Sequence, residues 1–185
     1  MKNKDVEVKF SYVPKIDRTC WKRYNAVIKE NKDVWGIKRD SNQILKFKKV
    51  ELVANIKNIT TAYDKVFSVR PTYIKGYIVT TPFSMIDDDK RISKGGTIYL
   101  SLFTSNPHLV LAHEIFHIYF EKYTKRNIPN YEEVKEYFTV ILNDLFGDGM
   151  SKGYPKHEEI RRKVYICWLK TKSIDECIKL VSTQQ

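Results

Sequence analysis

Cysteine is scarce in this 185-residue chain. Cys20, Cys167 and Cys177 are an odd, widely spaced set with no C-x-x-C pair. That argues against a disulfide framework and against a cysteine-built zinc site. Long apolar runs are missing too: none approaches the roughly 18–20 residues of a membrane span. Residues 1–8 alternate charged and apolar side chains and lack the apolar centre of a signal peptide. The expectation is a cytoplasmic chain with reduced thiols and no membrane partner. There is no internal repeat and no low-complexity stretch. One ordinary domain, or one domain with a helical extension, is what this length allows.

Acid is also in short supply. The chain carries 33 Lys+Arg against 22 Asp+Glu, a net charge of +11. The excess is concentrated in residues 1–105, with 21 basic against 11 acidic residues. Such a half can attract nucleic acid or another polyanion. Lysine outnumbers arginine 25 to 8, with no arginine cluster or nucleic-acid motif, so a solvated lysine-rich surface is the favoured reading. At 42% hydrophobic and 13% aromatic, the chain has enough apolar material for a sizeable core.

The pattern reads as α+β. Val6–Tyr12 alternates like a strand, ended by Pro14. Asp17 is placed to cap a helix carrying Trp21, Tyr24, Val27 and Ile28, broken at Trp35-Gly36. From Ser41 the period becomes helical, with Leu52, Ile56, Ile59, Tyr63, Val66 and Phe67 as a stripe. Ile44–Phe47 reads either as the first turns of that helix or as a short strand. Tyr73–Thr80 and Thr97–Leu102 read as strands, with a loop over residues 82–96 between them. The Asp87-Asp88-Asp89 run in that loop lacks the spacing of a calcium loop and reads as solvated. Ser105-Asn106-Pro107 opens a helix that is apolar nearly all round and reaches Tyr123. Further helices are expected over residues 131–146 and 157–170. The S-x-x-E box at Ser173–Glu176 starts a last one. A basic, mainly helical segment over residues 1–70 would thus precede a core over residues 71–185.

One motif carries chemistry: His113-Glu114-Ile115-Phe116-His117, or H-E-x-x-H. On a helix, positions i and i+4 share a face, so both imidazoles can reach one metal ion. Glu114 lies about 100° around, near enough to act on a metal-bound water without being a ligand. This is the layout for zinc-assisted hydrolysis, with Glu114 taking the proton of the water and delivering it to the leaving amine. Two histidines and a glutamate among Leu, Ile and Phe are costly unless they are satisfied.

With that helix just after a strand, residues 73–146 resemble the zincin metallopeptidases. The resemblance implies one Zn2+ per chain, a peptide or protein substrate, Thr97–Leu102 as a substrate-binding edge strand and residues 107–123 as the active-site helix. The metzincin extension of the motif is excluded, because its last positions are Phe120 and Tyr123 here. Gluzincins take a glutamate from the next helix, where Glu132, Glu133 and Glu136 stand. Glu136 matches the H-E-x-x-H-x18-E spacing of the aminopeptidase-like gluzincins, and Lys135–Thr139 looks like their N-E-G-F-A run. Glu133 suits the shorter pattern of mobile-element proteases that cleave repressors.

Periodicity pulls the other way. Val134, Tyr137, Phe138, Ile141, Leu142 and Leu145 form the apolar stripe, and Glu136 lies almost opposite it. It shares its face with the uncharged Thr139, Val140 and Asn143, which can pack on the active-site helix. Glu136 is therefore the first candidate for the third ligand, ahead of Glu133, Glu132 and His157, and Asn143 is a candidate supporting residue. Many zinc peptidases use a downstream His or Tyr on the oxyanion, which makes Tyr154 and His157 candidates, beside a reading of His157 as a plain helix-start residue. His108 reads as structural.

The expected activity is hydrolysis of peptide bonds through zinc-bound water activated by Glu114. The rivals are a regulatory protease acting on a DNA-associated protein and a zincin-shaped binding module without turnover. Endo- and exopeptidase action both remain open, since no G-x-M-E-N-type amine-binding motif is present.

Overall fold

The structure is a computed structural model that describes residues 7–30, 51–82, 84–86, 95–147 and 153–183. Trp35-Gly36, the Ile44–Phe47 segment and Asp87–Asp89 lie outside them. The architecture is α+β, as the pattern implies. The chain divides into two compact units interleaved in sequence. The first takes Met1–Lys57, Tyr73–Asp89 and Gly96–Leu111; the second takes Asn58–Thr72, Lys90–Gly95 and Ala112–Gln185.

Among its described residues, the first unit holds the sheet and helix α1 (Pro14–Glu30). Strand β1 (Glu7–Tyr12) buries Val8, Phe10 and Tyr12 and exposes Lys9, the alternation of a half-buried strand. It pairs antiparallel with β2 (Glu51–Asn55) and parallel with β3 (Tyr73–Val79). Phe10 stands opposite Gly76, and a Cβ on Gly76 would overlap the Phe10 ring. Strands β4 (Met85–Ile86) and β5 (Gly95–Ser101) complete the order β2-β1-β3-β5-β4.

Three expectations change here. The helix expected to run through Leu52 is interrupted: residues 51–55 are strand β2. Glu51-Leu52-Val53-Ala54 fits either period, and the ladder with β1 decides between them. The strand expected at the edge is β5, which lies between β3 and β4. Within the expected loop, Met85 and Ile86 pair with Tyr99 and Ile98 and form the outer strand. Asp17 is not a helix cap. Helix α1 (Pro14–Glu30) starts at its proline, and Asp17 is buried in the first turn. Its carboxylate accepts the Thr80 N–H at 2.7 Å and the Tyr12 hydroxyl at 3.3 Å. These bonds offset the cost of burying a carboxylate. Trp21 Nε1 donates to Thr80 Oγ1 at 2.9 Å, and Cys20 packs on Val79 and Tyr99.

The second unit is helical. Helix α2 (Lys57–Phe67) buries Ile59, Tyr63 and Phe67 at four-residue spacing. Tyr63 and Phe67 meet Phe116 and Tyr119 with ring centroids 5.3–5.9 Å apart. These residues belong to helix α3 (Pro107–Thr124), which begins in the first unit and continues in the second. After it come α4 (Tyr131–Phe138), a 3-10 turn at Thr139–Ile141, and α5 (Leu142–Phe146). The single helix expected over residues 131–146 is thus tightened in the middle. Gly147, at φ 108°, ends it. A 3-10 turn at Pro155–His157 leads into α6 (Glu158–Thr171), and α7 (Ile174–Ser182) follows. Ser173 Oγ accepts the Glu176 N–H at 3.4 Å, the cap that the sequence signals. Val164 and Trp168 of α6 and Ile174, Cys177 and Val181 of α7 are buried. Among the described residues no helix is long and apolar enough to cross a membrane.

Candidate metal centre

Helix α3 opens as its sequence dictates. Asn106 Oδ1 accepts the Leu109 N–H at 3.2 Å, and Pro107 takes the first helical position, where its missing N–H costs nothing. Leu111, Ala112, Ile115, Phe116, Ile118, Tyr119 and Phe120 are all buried. His113 and His117 share one face, with ring centroids 4.6 Å apart and Nε2 atoms 2.9 Å apart.

Helix α4 brings the third group. Asn130 turns the chain at φ 49°, and its carbonyl takes the N–H groups of Glu133 and Val134 at 3.0 Å. Phe138 then packs on Phe120 with centroids 4.9 Å apart, and Tyr131 stacks on Phe120 at 6.1 Å. This contact sets the rotation of α4. Glu136 consequently faces the histidine pair: Oε1 lies 3.3 Å from His117 Nε2 and Oε2 lies 3.7 Å from His113 Nε2. One ligand atom from each of the three residues falls within 4.8 Å of the others.

Ligands at 2.0–2.1 Å from a tetrahedral ion stand roughly 3.3 Å apart. The separations here, 2.9, 3.3 and 3.7 Å, bracket that value. Protonation agrees. Burial, then the charges of Arg161 and Lys135, lower the His113 pKa to about 4. Burial, then His113 and Lys135, hold His117 well below its usual value. Both rings are neutral at pH 7, the form that ligates a metal. Burial raises the Glu136 carboxyl, while Lys135 and Arg161 draw it down. Nδ1 of His117 is buried and has no hydrogen-bond partner among the described residues. The residues therefore fit a zinc-sized cation.

The other sequence candidates separate. Glu114, on α3, is half-buried. Tyr154 is 58% exposed, and its phenol pKa is raised by burial first, then by Glu136 and Glu114. Tyr154 thus lies within electrostatic reach of both carboxylates. His157 does not share that surrounding. It is buried against Tyr137 and Tyr154, its Nδ1 lacks a partner among the described residues, and the charges it feels are Lys156, Glu133 and Arg161. Glu132 pairs with Lys135 and Arg126. Glu133 accepts from the Tyr137 hydroxyl and pairs with Lys156. His108 is exposed on the first turn of α3, and Asn143 is half-buried.

Sequence reasoning missed Arg161 and Lys135. The signal for Arg161 is its phase: it occupies the same stripe as Val164 and Trp168, three and seven residues on, and is buried with them. No protein-family model matches this sequence, and neither a curated protein nor a solved structure matches the chain.

Proposed function

We propose that this chain is a zinc-dependent peptidase of the gluzincin type, with His113, His117 and Glu136 as the metal ligands and a minimal zincin-like fold. The observation that carries the reading is the carboxylate of Glu136, which comes from a separate helix to within 3.3 Å of His117 Nε2. It arrives at the x18 spacing that singled it out in the sequence. A zinc ion held by the three residues would supply Lewis acidity, lowering the pKa of water toward ~7 and polarising a carbonyl.

The remaining steps belong to the chain. The carboxylate of Glu114 accepts a proton from the attacking water and passes it to the leaving amine nitrogen. The phenol of Tyr154 donates a hydrogen bond to the oxyanion that develops as the carbonyl is attacked. His157 has no part in this scheme.

The test is Glu114→Gln in the zinc-loaded chain, assayed on unfolded protein and on mixed peptides. Loss of turnover at unchanged zinc content supports the enzyme. Wild-type chain that holds zinc and cleaves nothing supports a binding module instead.

A second reading concerns the substrate. Lys15, Arg18 and Lys22 are exposed on one face of α1 at i, i+3 and i+7. They would suit a substrate attached to DNA, the rival reading that the basic half of the sequence raised. Salt-dependent DNA binding that is lost when the three are changed to glutamate would support it.

A further inference from the structure

Glu136 sits just before the point where α4 tightens into the 3-10 turn of Thr139–Ile141. At that point side chains hold the main chain. Thr139 Oγ1 donates to the Glu136 carbonyl at 2.8 Å. Arg161 Nη1 donates to the same carbonyl and also to Thr139 Oγ1, the latter at 2.8 Å. Arg161 reaches them from α6 and is only 4% exposed.

A buried guanidinium is an expensive way to fill space. An apolar side chain in this stripe, beside Val164 and Trp168, would avoid the desolvation cost. Gly153, ahead of α6, makes room for it as well. Gly153 has φ 68°, and a Cβ there would overlap the Arg161 guanidinium. The next residue is Tyr154. Arg161 therefore touches the backbone of the third ligand, the hydroxyl beside it, and the loop carrying the oxyanion candidate.

We infer that Arg161 is a positioning residue: it fixes the main chain at Glu136 so that the carboxylate meets both histidines. The inference rests on the metal-site reading above. It assigns Arg161 no contact with substrate.

The test uses the full chain, freed of metal, with zinc and cobalt as probes. Zinc affinity is measured by chelator competition, and Co2+ geometry by visible absorption. Arg161→Met is expected to bind zinc about 10–100-fold more weakly. Its cobalt spectrum is expected to lose the intensity of a four-coordinate site, while the far-UV circular dichroism of the metal-free chain stays that of wild type. Arg161→Lys, with a compact ammonium in place of the planar fork, should recover part of the affinity. If Arg161→Met folds and binds both metals as wild type does, the arginine is a packing residue and the inference falls. If Arg161→Met does not fold, Arg161→Lys carries the test, since it keeps the charge and loses the guanidinium that bonds both the Glu136 carbonyl and Thr139 Oγ1. Weaker zinc binding and a changed cobalt spectrum support the inference, and wild-type values overturn it. A wild-type chain that binds no metal overturns the site and this inference together. Metal binding unchanged across the variants overturns the inference alone.

Discussion

The hydroxyl of Tyr63 donates to the main-chain carbonyl of Ala112 at 2.6 Å, one residue before His113. Tyr63 is fully buried, and burial raises its pKa well above the usual phenol value, so the donor stays protonated. Its ring meets Phe116, Tyr119 and Phe146 with centroids 5.3–5.9 Å apart. The bond and the ring contacts together fix the rotation of α3 where it carries the histidine pair.

Tyr63→Phe keeps the rings and removes the donor. A single buried hydrogen bond contributes about 1 kcal/mol net. Tm should therefore fall by roughly 2–4 °C, with zinc stoichiometry unchanged. Calorimetry with and without metal checks this. An unchanged Tm would mean that the bond contributes nothing to holding α3.

Gly76 faces Phe10 across the β1–β3 pair, where a Cβ has no room. Gly76→Ala should destabilise the chain by about 1–3 kcal/mol, the usual cost of overpacking. Denaturant unfolding of Gly76→Ala, of Phe10→Leu and of the double variant tests the contact. The double variant should be more stable than the sum of the two single losses. Strict additivity would show that the two residues do not clash.

Asp144 accepts from Lys172 Nζ at 2.7 Å and from Trp168 Nε1 at 2.9 Å. Lys172 first, with Trp168 helping, lowers its pKa. A carboxyl whose folded pKa lies below its unfolded value stabilises fully above the unfolded value, about 3.9. That contribution is lost as pH falls from there through the folded pKa. Asp144→Asn should accordingly be less stable than wild type at neutral pH, and the gap should close below pH ~4. Thermal melts across that range check the sign. A gap that widens in acid would contradict it.

Much of the site was legible because its signals are local. His113, Glu114 and His117 sit at fixed positions on one helix, with a proline and an asparagine marking its start. Glu136 was legible in spacing and ambiguous in phase. The stripe through Val134, Phe138 and Ile141 suggested a wet face, but the contact of Phe138 with Phe120 turns Glu136 toward the histidines. The sheet order was harder to read. β4 has only two residues, and its role as the outer strand depends on a long-range partner, Ile98 to Ile86. Strand β2 was hidden because Leu52 fits a helical stripe until β1 pairs with it. Arg161 was passed over because a charged residue is normally placed outside, and only the packed helices reveal which carbonyl it serves.

The proposed activity depends on a metal site built from His113, His117 and Glu136. Its most direct test is metal content, measured by inductively coupled plasma mass spectrometry on the purified wild-type chain beside His117→Ala and Glu136→Gln. About one zinc per wild-type chain is expected, none in His117→Ala, and weakened retention in Glu136→Gln. A wild-type chain without metal, even after zinc is added back, would contradict it.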